Sequence, residues 1–120
     1  MKDDEITMAT IKSYTDLEQT KKLAEILPLE SADMFLALNG IIPVMSKYID
    51  EGLVTADETA IPCWSLASLI GVLPEKYTEL IKEGGMYRII IKDSYMTSLF
   101  YNPVDACYEM ILKLHELNLL

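Results

Sequence analysis

The sequence predicts an α+β fold in which three main helices pack on a small, mainly antiparallel sheet. Three observations carry that prediction. Apolar residues recur at helical spacing in three stretches bounded by caps and prolines. A β-branched run, Ile89–Ile91, lies between the turn signals Gly84-Gly85 and Asp93–Tyr95. The length, 120 residues, is enough for one real core and too short for two.

Residues 1–12 are polar and aperiodic and read as a flexible N-terminal arm, with 13–120 as a single α+β domain. The first helix follows. Thr15 with Glu18 three residues on predicts a capping box. Leu17, Thr20, Leu23, Ala24 and Leu27 form its apolar stripe, and Pro28 ends it. Residues 31–62 are the least legible. MFLAL (34–38) reads as a buried strand, Asn39-Gly40 as a turn, VMSKYI (44–49) as a short helix and VTADETAI (54–61) as a loop entering an extended Pro62.

WSLASLIGVLP (64–74) predicts the second helix, with Ser65 as N-cap, Trp64 stapled on Leu69, and Pro74 as the stop. Residues 77–82 allow either a short helix or a strand joined at Glu83-Gly84-Gly85 to a strand over 86–92. A further strand over 96–101 pairs with it. The third helix, 103–118, is the strongest element, with Asn102 as N-cap, Pro103 at N1 and Asp105 in the first turn, where it suits the helix dipole.

Composition limits function. Hydrophobic residues are 51% of the chain, and the mean hydropathy is +0.20. A domain this small has too much surface to hide all of that in one copy, so part is expected at an interface in a homo-oligomer or with a protein partner. Seven methionines fit either an adaptable interface or a Met-rich core. The net charge is −9, which repels phosphate backbones, so no direct nucleic-acid binding is expected. The acidic residues Glu30, Asp33, Asp50, Glu51, Asp57 and Glu58 allow a second reading, an acidic inhibitor that mimics nucleic acid, against the plainer one of a solvated face. The opening MKDDEI lacks an export signal, and no apolar run reaches the ~20 residues of a membrane helix, so a cytoplasmic protein that does not engage a membrane is expected.

The candidate pocket residues are Cys63, Trp64, Cys107 and His115. On a helical wheel Cys107 and His115 both fall opposite the wet face of Asp105, Glu109, Lys113 and Glu116. Their eight-residue separation is about 12 Å of helix, too far for a nucleophile–base dyad that needs roughly 3 Å. Two chemical readings remain. Cys63, before a helix N-terminus, can meet His115 through the fold, or Cys63, Cys107 and His115 can bind a zinc ion with a carboxylate, although no ligand pair has the usual short spacing. The plain alternative is a core cysteine and a buried, hydrogen-bonded histidine beside Asn118. Trp64 reads as a packing anchor. Tyr77, Tyr87, Tyr95, Tyr101 and Tyr108 read as half-buried sheet residues or as the lining of a groove. There is no phosphate loop, GxSxG or HExxH. The chain therefore reads first as a non-enzymatic, self-associating interaction protein, with no catalytic residue, metal or cofactor expected; the alternative is a small enzyme or ligand-binding protein with a pocket near Cys63, Trp64 and His115.

Leu27-Pro28, Glu30, Ala32-Asp33-Met34, Pro62, Trp64-Ser65-Leu66, Leu73-Pro74 and the block from Asn102 to Ile111 resemble a family of small uncharacterised proteins of Bacteroides-type gut bacteria and their phages or mobile elements. That pattern has an LP-E-ADM block, a P-W-SL helix ending in LP, a variable β region and a terminal NPVDA helix. The resemblance spans most of 26–117 and carries no activity, cofactor or catalytic residue. It implies an intracellular bacterial or phage protein.

Overall fold

The computed structural model describes residues 12–37, 42–45, 60–76, 78–91 and 95–120. Its elements are α1 (Leu17–Ile26), a 3-10 turn (Leu29–Ser31), β1 (Met34–Ala37), β2 (Ile42–Met45), β3 (Ile61–Cys63), α2 (Leu66–Val72), β4 (Thr78–Glu83), β5 (Met86–Ile91), β6 (Tyr95–Met96) and α3 (Pro103–Glu116). Among the described residues this is an α+β arrangement with three α-helices. The strands form two antiparallel three-stranded sheets, ordered β2-β1-β3 and β4-β5-β6, where the sequence led to one. The chain groups into two compact units, Tyr14–Ser68 and Leu69–Leu120 with the residues up to Ser13; the division falls inside α2. Apart from Lys12, the expected arm lies outside the described residues, as do Asn39-Gly40 and 46–59.

In the first unit the cap of α1 is Asp16, one residue beyond the expected Thr15. The Asp16 carboxylate accepts the Gln19 N–H at 2.8 Å, and the Gln19 side chain accepts the Asp16 N–H at 3.2 Å. Thr15 is unavailable because its hydroxyl shares a buried hydrogen bond with Thr20 at 2.8 Å and accepts the Trp64 N–H at 3.1 Å. The buried stripe is accordingly Gln19, Thr20, Leu23 and Leu27, while Leu17 and Ala24 are exposed. Leu27 is extended, the conformation favoured before Pro28. Met34–Ala37 of MFLAL form β1 and Leu38 lies outside the described residues, while Val44 and Met45 belong to strand β2 instead of starting a helix. Pro43 and Pro62 sit on the two outer strands and face Leu36 and Phe35 across the ladder. Outer strands are where a sheet tolerates a residue with no N–H.

The second unit is a meander closed by a helix. Residues 78–83 take the strand alternative, and Tyr77 lies outside the described residues. Glu83 pairs with Met86 across a two-residue loop. Gly84 and Gly85 there have φ of 58° and 79°, which defines the type I′ turn that matches strand twist and favours glycine. The last strand is shorter than expected. Ile90 pairs with Met96 and Tyr87 bridges Phe100, so Arg88 and Ile89 lie opposite three residues, Thr97, Ser98 and Leu99. That is a β-bulge. The Thr97 hydroxyl accepts the Ile89 N–H at 3.1 Å and donates to the Ser98 carbonyl at 2.8 Å, so Ile89 keeps a partner.

Helix α3 packs on β5. It starts as expected, with the Asn102 side chain accepting the Asp105 N–H at 2.9 Å and Pro103 in the first turn. Lys12 pairs with Asp105 at 3.0 Å. The helix ends in a Schellman motif: the Leu119 N–H reaches the Leu114 carbonyl at 2.8 Å and the Asn118 N–H the His115 carbonyl at 3.0 Å. Asn118 is left-handed at φ 59°. Its role is to cap the helix, which differs from the polar pocket expected beside His115.

Candidate functional site

The polar groups of the first unit converge on the segment Cys63–Ser65, where β3 leads into α2. The Trp64 side chain has no exposed surface, and its indole N–H donates to the Ser31 hydroxyl at 2.9 Å. Ser31 in turn donates to the Pro28 carbonyl at 2.6 Å. The Trp64 backbone exchanges hydrogen bonds with Thr15, giving its N–H to the hydroxyl and accepting the Thr15 N–H at 2.9 Å. Trp64 is thus a packing anchor with every polar atom satisfied, the usual condition for a buried indole.

Beside it, Asp33 receives both donors of Ser65, the N–H at 2.9 Å and the hydroxyl at 2.5 Å. Ser65 also accepts the Ser68 N–H at 3.2 Å, which is the N-cap bond expected of it. Burial alone would raise the Asp33 pKa, but the hydrogen bonds from the Ser65 hydroxyl and N–H outweigh it. They hold the carboxyl below the usual 3.8. A carboxylate held in this way is a poor proton acceptor, and among the described residues Ser65 meets no other base to activate it. The trio fastens β1 to the start of α2. It also takes Asp33 out of any acidic array. Glu30 stays exposed, and Asp50, Glu51, Asp57 and Glu58 lie outside the described residues.

The thiols are closed off. Cys63 and Cys107 are both free and have no exposed surface. Burial pushes each pKa up to about 12, with the Asp33 charge adding to the effect at Cys63. A nucleophilic cysteine needs the opposite shift. His115 corrects the helical wheel, because it is exposed. The buried arc of α3 runs through Val104, Ala106, Cys107, Met110, Ile111 and Leu114. His115 stands roughly 90° from the centre of that arc, at 100° per residue. The four candidates therefore divide into three sealed side chains and one that faces outward. Among the described residues no group of three or more His, Cys, Asp or Glu side chains can hold a metal ion.

Two half-open grooves in the second unit are lined by other residues. One, of about 270 Å³, runs between the bulge at Thr97-Ser98 and Glu109, Leu112, Lys113 and Glu116 of α3. The other, of about 330 Å³, lies along Ile70, Leu73, Pro74 and Thr78. No helix among the described residues is long and apolar enough to cross a membrane. Comparison of the chain with protein-family models, curated proteins and solved structures finds no match.

The residue that sequence reasoning passed over is Arg88, the chain's one arginine. Its only signal was a charge inside the otherwise apolar strand MYRIII.

Proposed function

We propose that this chain is a non-enzymatic interaction protein that associates with itself, that it works in the cytoplasm, and that it belongs to the phage or mobile-element background its sequence blocks imply. The observation that carries the self-association is the apolar surface left in a single copy. Tyr101 is 65% exposed, Met96 and Leu119 are 54% and Leu29 is 52%. Side chains of this size add to the hydrophobic driving force when a partner covers them. The sealed thiols and the bound Asp33 favour this reading over catalysis. Two free cysteines suit a reducing compartment.

Light scattering coupled to size exclusion, over a hundredfold range of concentration, tests the proposal. The expected outcome is a dimer or larger species that dissociates on dilution. A monomer throughout the range would end it.

A further inference from the structure

The sheet β4-β5-β6 has two unlike faces. Ile89 is 1% exposed and lies on the side where α3 packs. Tyr95, opposite Ile91 on that same side, has the Lys113 ammonium 5.9 Å from its ring. Alternation then sends Glu79, Ile81, Met86, Arg88, Ile90 and Met96 to the other face. Ile81, Met86 and Ile90 are half-buried there, and Met96 is exposed.

Arg88 lies at the middle of this apolar surface, directly opposite Ile81. Its side chain is only 19% exposed, and its donors are poorly served. Nε is buried with no acceptor. Nη1 meets the thioether sulfur of Met96 at 2.9 Å, a weak acceptor. Nη2 reaches a single oxygen of Glu83 at 3.4 Å. A guanidinium in apolar surroundings calls for a carboxylate in fork geometry. Glu79, exposed on the same face, has no ion-pair partner among the described residues.

We propose that this face is the surface through which two copies of the chain associate, with Arg88 as its anchor and Glu79 of the second copy as the carboxylate that completes it. The proposal rests on the self-association reading and gives it a location. The patch is self-complementary, as a two-fold interface requires. Two such faces laid together with antiparallel strands about the Leu80–Ile89 pair set each Glu79 over Ile81 of the other copy, beside Arg88. Sheets packed face to face are about 10 Å apart, within reach of an arginine and a glutamate extended towards each other. The surrounding Ile81, Ile90 and Met96 exclude water from the pair, which is the setting in which an interfacial arginine matters most.

Charge reversal in trans tests it. Arg88→Glu and Glu79→Arg, each alone, are expected to weaken self-association at least tenfold. Mixed in equal amounts they should recover it, because each chain then offers the charge the other lacks. A purely internal role for Arg88 gives no recovery on mixing. Circular dichroism checks that both variants fold. A measurement on the unsubstituted chain needs no variant: peroxide should oxidise Met96 severalfold more slowly at high concentration than at low, with Met45, 41% exposed in the other unit, as reference. Dimers that survive the single reversals, mixing that restores nothing, or equal Met96 rates at all concentrations would overturn the location and leave self-association standing. A Met96 resistant at every concentration would show the face covered within one chain, which also overturns it. A strict monomer ends both proposals.

Discussion

Cys63 and Cys107 are the reactive residue types of this chain, and both are spent on packing. Each thiol stays neutral in the fold until about pH 12, against 9.0 when free, mainly because burial disfavours the thiolate. A folded pKa raised in this way makes a contribution to stability that is whole below pH 9.0 and is lost as pH rises from there towards about 12. The same shift governs reactivity, since the thiolate is the nucleophile. At pH 8, iodoacetamide should label both thiols on the order of a thousandfold more slowly in the native chain than in urea. Rapid labelling of either thiol in the native chain would contradict the sealed environment.

At the level of elements, Asp33 acts as the far half of a helix cap. In a capping box the N3 side chain reaches back to the N-cap N–H. In α2 the N3 residue is Ser68, whose hydroxyl bonds the Ser65 carbonyl at 2.9 Å, and the free Ser65 N–H goes to Asp33. Asp33→Asn keeps one acceptor and loses the charge, and is expected to lower stability by about 1–2 kcal/mol in urea unfolding at pH 7. The carboxyl pKa is held below 3.8, so its contribution is whole at neutral pH and falls away as pH drops through the lowered value. The Asn variant should therefore lose less stability than the parent between pH 5 and 2; equal acid sensitivity would remove Asp33 from that role. Long-range bonds of this kind explain which elements were legible. Asn102-Pro103 and Gly84-Gly85 act through their own backbone, and the sequence shows them directly. Thr15 and Asp16 are equally good caps locally, and the choice is made by Trp64, far along the chain. The Thr97 bulge and the Asp33–Ser65 bond depend on a partner strand or segment that no local spacing reveals. On α3 a single apolar stripe was clear, but its centre was misplaced enough to turn His115 inward.

For the molecule as a whole, every outer strand of both sheets carries a device against further strand pairing. Pro43 on β2 and Pro62 on β3 have no N–H to give β1, so their nitrogens face the outer edges and remove a donor there. The strand of β6 is bulged at Thr97–Leu99. On β4, Lys82 points to the α3 side of the sheet, its ammonium 5.8 Å from the ring of its cross-strand partner Tyr87. An inward charge on an outer strand must be buried if another strand is added, which opposes the addition. Together these devices oppose growth of either sheet by edge-to-edge pairing. Lys82→Ile removes the one guard on β4 that lies on its inner side. The strand then reads Thr-Glu-Leu-Ile-Ile-Glu, and its edge groups become a template for a second β4. The variant is expected to form larger, thioflavin-positive species at concentrations where the parent stays clear, with size growing without limit. Arg88→Glu should leave that growth intact, because it acts on the face and not on the edge. A Lys82→Ile protein that remained as small as its parent would mean that Glu79 and Glu83 guard β4 without help from the lysine.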